Sequence, residues 1–175
     1  QSWGDSSRFT RRETRAEPTK SGVLGLLAAA EGRRRSDPIE DLAGLRFGVR
    51  IDQPGQIVRD FQTARSMDGR RTMPLSYRFY LSDAAFVAAV EGSAELIDGL
   101  AEAVRRPRFP LYLGRRSCPP AAPVFLGTAQ DSLVPALREA SWQAANWYRR
   151  RQPQQVPLPL VVDAEAAPDA GIGET

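Results

Sequence analysis

Arginine is the residue type whose distribution in this chain points to chemistry. Arg105, Arg106, Arg108, Arg115 and Arg116 fall within a 12-residue stretch that holds no acid. Arg65, Arg70, Arg71 and Arg78 form a second cluster against the single acid Asp68. A third, Arg8, Arg11, Arg12 and Arg15 with Lys20, is interleaved with Trp3, Ser7 and Phe9 near the start of the chain. A guanidinium stays charged at any physiological pH, binds phosphate or carboxylate through paired N–H groups, and stacks on planar rings. Such clusters, alternating with aromatic side chains, suit a polyanion that also carries flat bases.

The rest of the composition removes competing chemistry. Of 24 basic residues 23 are arginine, Lys20 is the one lysine, and the 175 residues contain no histidine. Ser-His-Asp and Cys-His nucleophiles, paired-histidine zinc sites and an unshifted near-neutral acid or base are therefore excluded for this chain. One cysteine, Cys118, forms neither an internal disulfide nor a cysteine zinc site, so a reducing, cytoplasmic setting is expected, with no cofactor. Cys118 itself reads as a small buried filler. Asp37, Glu40 and Asp41 lack a convergent metal spacing and read as helix-start and surface charges. The net charge of +3 understates the basic character, because the 13 residues from Asp163 carry four acids and no base; without them the net charge is +7. The longest nearly unbroken apolar run, Val23 to Ala30, is far below the roughly 20 residues that cross a bilayer.

Alternating short elements must position these arginines. Ser21 is expected to cap a helix to about Ala30, ended by Gly32, and Asp37-Pro38 to open a helical turn to Ala43. Phe47, Val49 and Ile51 alternate with period two. Gln53-Pro54-Gly55-Gln56 then turns the chain and Ile57 to Thr63 returns, which predicts a hairpin. Residues 64–74 read as an exposed extension, and Leu75–Leu81 and Ala84–Val90 as strands. Ser93 starts a second helix to about Arg106, with Leu96, Ile97, Leu100 and Val104 on one face and Pro107 at its end. Short strands are expected at Leu111–Leu113 and Val124–Leu126, partial helix over Leu133–Trp147, and a last strand over Leu158–Val162. With a further strand expected ahead of Gln1, this order matches an α+β sandwich of the ferredoxin or RNA-recognition type.

Several features carry two readings. Lys20-Ser21 is not a phosphate loop, since Thr19 stands where the glycine before lysine is required. Gly22, Gly25, Ala29 and Gly32 leave one helix edge nearly bare, for packing on a sheet or for RNA backbone at the helix N-terminus. The stretch from Trp3 to Arg15 either stacks bases and binds phosphates or tucks Trp3 and Phe9 into the core. Arg105 and Arg106 read as partners of a helix C-terminus. Gly114-Arg115-Arg116-Ser117-Cys118-Pro119-Pro120 sits on a rigid loop, where binding groups often lie.

The segments Ser2-Trp3-Gly4, Ser7-Arg8-Phe9, the run from Pro18 to Ala30, Phe47 to Asp52, Asp60 to Ala64, Tyr80 to Phe86 and Tyr112 to Pro120 resemble, in order, the CasD family. That family is the Cas-five subunit of the type I-E CRISPR Cascade surveillance complex. The resemblance covers roughly residues 1–130. It implies a ferredoxin-like domain with an extended β-hairpin thumb, about residues 57–81, holding the 5′ handle of the CRISPR RNA. Implied neighbours are the large PAM-recognising subunit and a CasC-type backbone subunit, with target DNA met indirectly through the complex. Residues 64–76 match the thumb position, and family members begin with a strand this chain lacks. Relatives in another subtype cut precursor RNA with a Tyr-Lys-His set, which a chain without histidine does not support; some relatives carry His where this chain has Gln62.

Residues 1–130 are thus expected to form an RNA-binding domain, and residues 131–175 an extension with a small β segment and an acidic tail. The expected action is passive. Arg8, Arg11, Arg12 and Arg15 with Lys20, Ser21 and Gly22 grip handle phosphates, and Arg115 and Arg116 hold the handle from a second side. The extension with Arg65, Arg70, Arg71 and Arg78 wedges between bases or against the next subunit. Trp3, Ser7 and Phe9 complete the RNA-binding set. The alternatives are a metal-independent endoribonuclease using Tyr77, Tyr80 or Lys20, and an assembly subunit whose arginines meet acidic protein surfaces.

Overall fold

Local sequence sets the helices and long-range burial sets the sheets. In order, the chain forms β1 (Ser7–Arg8), β2 (Arg11–Arg12), α1 (Lys20–Glu31), α2 (Glu40–Ala43), β3 (Arg46–Gln53), β4 (Gln56–Gln62) and β5 (Ser76–Ser82). There follow β6 (Ala85–Glu91), α3 (Ala94–Arg105), α4 (Leu133–Glu139), α5 (Asn146–Arg149) and β7 (Leu160–Val162). This computed structural model describes residues 1–4, 7, 8 and 11–164, so Phe9 and the acids beyond Asp163 lie outside the described residues.

The first helix begins two residues earlier than a Ser21 cap implies. Thr19, not Ser21, is the N-cap: its hydroxyl accepts from Gly22 N at 3.2 Å, and Gly32 closes the helix in the left-handed region at φ 83°. Ser93 stands at the N-cap of α3, although its hydroxyl makes no cap bond. Helices α1 and α3 pack together through Leu24, Leu27 and Leu100, with Leu42, Leu45 and Leu111 completing that core. At the end of α1, Arg33 Nη1 and Nη2 donate to the two Asp41 oxygens at 2.6 and 2.5 Å, which holds that carboxyl down at about 2. The acid read as a helix-start charge is thus also the clamp between α1 and α2.

The predicted hairpin of β3 with β4 is not formed. One sheet has the order β6-β3-β7 and the other β1-β2-β5-β4, so the turn after Gln53 carries the chain from one sheet to the other. The reason is burial: six of the eight β3 residues are buried, whereas every residue of β4 is exposed. A strand covered on both faces and a strand bare on both faces do not share a layer. β4 pairs instead with β5, from Gln56 opposite Ser82 to Gln62 opposite Ser76, and the ribbon continues to the bridge of Arg65 with Thr72. Leu111–Leu113 and Val124–Leu126 are irregular rather than strands. Leu113 spends its N–H on Cys118 O at 2.8 Å, in a tight turn, and its carbonyl on Ser2 N at 3.0 Å.

The expected helix over 133–147 is split into α4 and α5, because β3 takes hold of the chain between them. Gly48, Arg50 and Asp52 lie on the opposite face of β3 from Phe47 and Val49. There the Arg50 guanidinium, 3% exposed, donates to Asp52 Oδ1 at 2.7 Å and Oδ2 at 3.0 Å. It also donates to the carbonyls of Leu137 at 2.5 Å, Ala140 at 2.6 Å and Ser141 at 3.0 Å. All five of its N–H groups are thereby used, and three of them cap the C-terminus of α4. Asp52 in turn accepts from Gln143 N at 2.6 Å. Residues 131–162 therefore return to the sheet built on β3: α4 lies on β3 and β6, and β7 pairs with β3.

Replacing Asp52 by Ala leaves a buried guanidinium unpaired, so Asp52→Ala is expected to lower stability by about 3–5 kcal/mol. Urea unfolding of the two proteins measures it.

Candidate nucleic-acid interface

The arginine clusters meet where the N-terminal segment, β5 and the loop after residue 113 come together. Gln1 O accepts from Leu81 N at 2.8 Å, Ser2 Oγ donates to Phe79 O at 3.0 Å, and Trp3 O accepts from Arg15 N at 2.7 Å. This lays the first three residues between β5 and the 114–118 loop. Gly114 makes the fit possible, since its φ is 87° and a Cβ there would overlap the Ser2 carbonyl oxygen.

Arg115 closes the junction. Its Nη2 donates to Arg12 O at 3.0 Å and Glu13 O at 3.1 Å, its Nη1 to Phe79 O at 3.3 Å, and its guanidinium lies 5.2 Å from the Tyr80 ring centroid. The side chain expected to hold RNA directly is therefore a bolt between β2, β5 and its own loop. Around it opens a cleft of about 470 Å³ lined by Arg12, Arg78, Arg115, Arg116 and Ser117, four cations and no acid. Arg12 and Arg116 are exposed, and Arg78 Nε is buried with no hydrogen-bond partner among the described residues. A cleft walled by like charges focuses positive potential and favours an anion in its mouth.

Tyr80 adds a hydroxyl to the cleft, 3.3 Å from Ser117 Oγ. That hydrogen bond, aided by Arg115 and Arg78 and opposed by burial, pulls the Tyr80 phenol below the ordinary tyrosine range. The strand β5 presents a second, different face through Tyr77 and Phe79. There Arg59 lies 5.3 Å from the Tyr77 ring centroid and Arg11 lies 5.2 Å from that of Phe79, with Ile57 and Phe61 exposed beside them. Arg11 also pairs with Glu13 at 2.8 Å.

The remaining predicted residues divide. Ser7 and Arg8 form β1 opposite Arg12 and Arg11, and Arg15 is exposed beside Trp3. Trp3 is not an open stacking platform: it is 3% exposed, and its six-membered ring fills the space a side chain on Gly22 would need. The bare helix edge is thus covered by tryptophan at Gly22 and by Arg108 at Gly32, while Gly25 stays open. Lys20 donates to Asp163 Oδ2 at 2.8 Å, and Ser21 is exposed with its hydroxyl near that of Thr19. Arg65, Arg70 and Arg71 sit exposed at the end of the β4–β5 ribbon, where Asp68 accepts from Arg70 N and Ser66 Oγ. Ser117 is the lining residue outside the predicted RNA-binding set, and Tyr80, named only for the endoribonuclease alternative, borders the cleft through Ser117; their signal was alternation on β5 and the serine inside Gly-Arg-Arg-Ser. Among the described residues no three acidic or thiol groups converge on a metal position.

Residues 1–170 match the family described as CRISPR-associated protein (Cas_Cas5). The chain belongs to the Cas5 family. The CRISPR system Cascade subunit CasD of Escherichia coli (strain K12) is 36% identical over 153 residues, 75% of this chain and 68% of that protein. A chain of a CRISPR RNA-guided surveillance complex superposes with a TM-score of 0.66 at 36% identity, over 79% of this chain and 62% of that one. A Cas protein crystal structure gives a TM-score of 0.63 at 45% identity, over 78% of this chain and 64% of the other. This Cas5-family chain thus spans less than two thirds of the length of either solved chain. No helix among its described residues is long and apolar enough to cross a membrane.

Tyr80 is expected to ionise below free tyrosine in a tyrosinate absorbance titration corrected with Tyr80→Phe, and Ser117→Ala is expected to move it back up. Because the phenolate is anionic, an anion held in the cleft should bind more weakly as pH rises through that transition.

Proposed function

We propose that the chain is a non-catalytic subunit of a type I-E CRISPR effector of the Cascade kind, and that its arginine cleft holds the 5′ handle of the CRISPR RNA. The observation that carries the reading is the convergence of Arg12, Arg78, Arg115 and Arg116 on one acid-free cleft in a member of the Cas5 family. Arg12 and Arg116 present exposed guanidiniums to phosphate, and Arg78, whose Nε is buried and unpaired among the described residues, lines the same cleft. Arg115 acts by holding the walls together. The hydroxyls of Tyr80 and Ser117 suit a ribose or base edge, which phosphate contacts alone cannot read.

The helix–strand–strand–helix order of α1, β3, β6 and α3 is the inner part of a ferredoxin-like plan. On this reading residues 1–130 carry the RNA, the β4–β5 ribbon with Arg65, Arg70 and Arg71 is the thumb, and residues 131–164 brace the sheet. The large PAM-recognising subunit and a CasC-type backbone subunit are its neighbours in the cytoplasm, and target DNA is reached through the assembled complex.

Tyr80 favours a second reading, because a phenol with lowered pKa among arginines is the arrangement a metal-free ribonuclease would use. Cleavage of handle-containing precursor RNA at one phosphodiester in the presence of chelator would establish it and displace the passive role.

The binding test is salt dependence. Each phosphate contact on a single strand contributes about 0.7 to the log–log salt slope through counterion release, so Arg12→Ala with Arg116→Ala is expected to weaken handle RNA binding and flatten the slope by about 1.4. An unchanged slope would remove the cleft as the phosphate site.

A further inference from the structure

A second cluster of arginine and aromatic side chains lies outside the cleft. Between Ser141 and Val162 the chain carries Arg149, Arg150, Arg151, Trp142, Trp147 and Tyr148 and no acid. The structure gathers these residues on and beside α5. Trp147 is 48% exposed, stands edge-on to Tyr148 with centroids 5.9 Å apart, and has the Arg151 guanidinium 5.5 Å from its ring centroid. Arg149 lies 5.2 Å from the Trp142 ring and donates through Nε to Ala144 O at 2.7 Å. Among the described residues none of these three arginines has an ion-pair partner.

The cluster is held in place from behind. Trp142 Nε1 donates to Asp52 O at 3.0 Å, Gln143 N to Asp52 Oδ2 at 2.6 Å, and Ala145 N to Gln53 Oε1 at 3.0 Å. These bonds fix Trp142 and the backbone that enters α5, and from α5 the exposed Trp147 indole beside Arg150 and Arg151, which have no ion-pair partner among the described residues, offers a stacking face and phosphate partners at once. An acidic protein surface would satisfy the cations but leave the exposed indole face without a planar partner, so nucleic acid uses more of what is present.

We propose that this patch is a second nucleic-acid site, taking a single-stranded segment whose bases stack on Trp147 and whose phosphates meet Arg150 and Arg151. Stacking and phosphate contact are common to RNA and DNA strands. The site shares no residue with the cleft between β2, β5 and the 114–118 loop, so it stands or falls apart from the function proposed for that cleft.

The experiment measures fluorescence polarisation of labelled oligouridine and oligothymidine on the full chain, with Trp147→Ala and with Arg150→Glu/Arg151→Glu. Each variant is expected to lose roughly tenfold or more in affinity for at least one probe, and the arginine pair to flatten the salt slope by about 1.4. The thermal midpoint should stay unchanged, because these side chains are exposed. A photoreactive halouracil probe should crosslink to Trp147, and should still do so in Arg12→Ala/Arg116→Ala, which separates this site from the cleft. Unaltered affinity for both probes in both variants overturns the proposal. So does polyglutamate binding through Arg149 to Arg151 while the oligonucleotides bind the variants as well as the parent.

Discussion

Burial of Arg50 beside Asp52 is the constraint on which the rest of this structure depends. Two charges removed from water are tolerated only when every remaining donor and lone pair finds a partner. Here the guanidinium reaches Asp52 and three carbonyls at the end of α4, and Asp52 reaches Gln143 N. These bonds stop α4 at Glu139 and turn the following residues across β3. Gln53, next along the strand, then takes Ala145 N and donates to the Asp83 carbonyl. The end of β3, the entry to the ribbon and the segment before α5 are thereby fixed to one another. At the other end of α4, Glu91 accepts from Leu133 N at 2.8 Å while pairing with Arg46, so the helix is tied to the sheet at both termini.

Arginine does two kinds of work in this molecule, and the difference lies in what the guanidinium meets. Arg50 and Arg115 meet backbone carbonyls, whose positions are set by folding, and they join segments far apart in sequence. Arg12 and Arg116 meet solvent at the cleft, and Arg11, Arg59, Arg149 and Arg151 lie over aromatic rings. A lysine could not replace either bolt, since a single ammonium lacks the planar fork that spans two or three acceptors. The strand β5 shows the consequence of alternation. Arg78 lines the cleft and Tyr80 borders it beside Ser117, while Tyr77 and Phe79 carry arginines on the reverse face, so one strand serves two chemically different surfaces.

Much of the fold was legible because its signals are local. The leucine spacing of α1 and α3, the alternation around Val49 and in β5 and β6, and the Gly32 and Pro107 stops depend on residues within one or two turns. The pairing of β3 with β6 rather than β4 was not legible, because both strands bordering the Pro54-Gly55 turn carry β-forming residues. Which of them is buried depends on α1, α3 and α4, which come from elsewhere in the chain. The strands expected at Leu111–Leu113 and Val124–Leu126 failed for the same reason: a short apolar run becomes a strand only beside a partner with unpaired backbone groups.

By itself the sequence determined the kind of interaction, many permanently charged guanidiniums and no histidine, together with the resemblance that leads to the Cas5 family. Those properties belong to side-chain type and local spacing. Only the tertiary structure decided which cations remain available. Lys20 is joined to Asp163 across the chain, Trp3 is buried against Gly22, Arg115 is held by the Arg12, Glu13 and Phe79 carbonyls, and Arg12, Arg78 and Arg116 converge on one opening. A charge can bind a ligand only where the fold leaves its donors unspent, and that depends on contacts between residues distant in the chain.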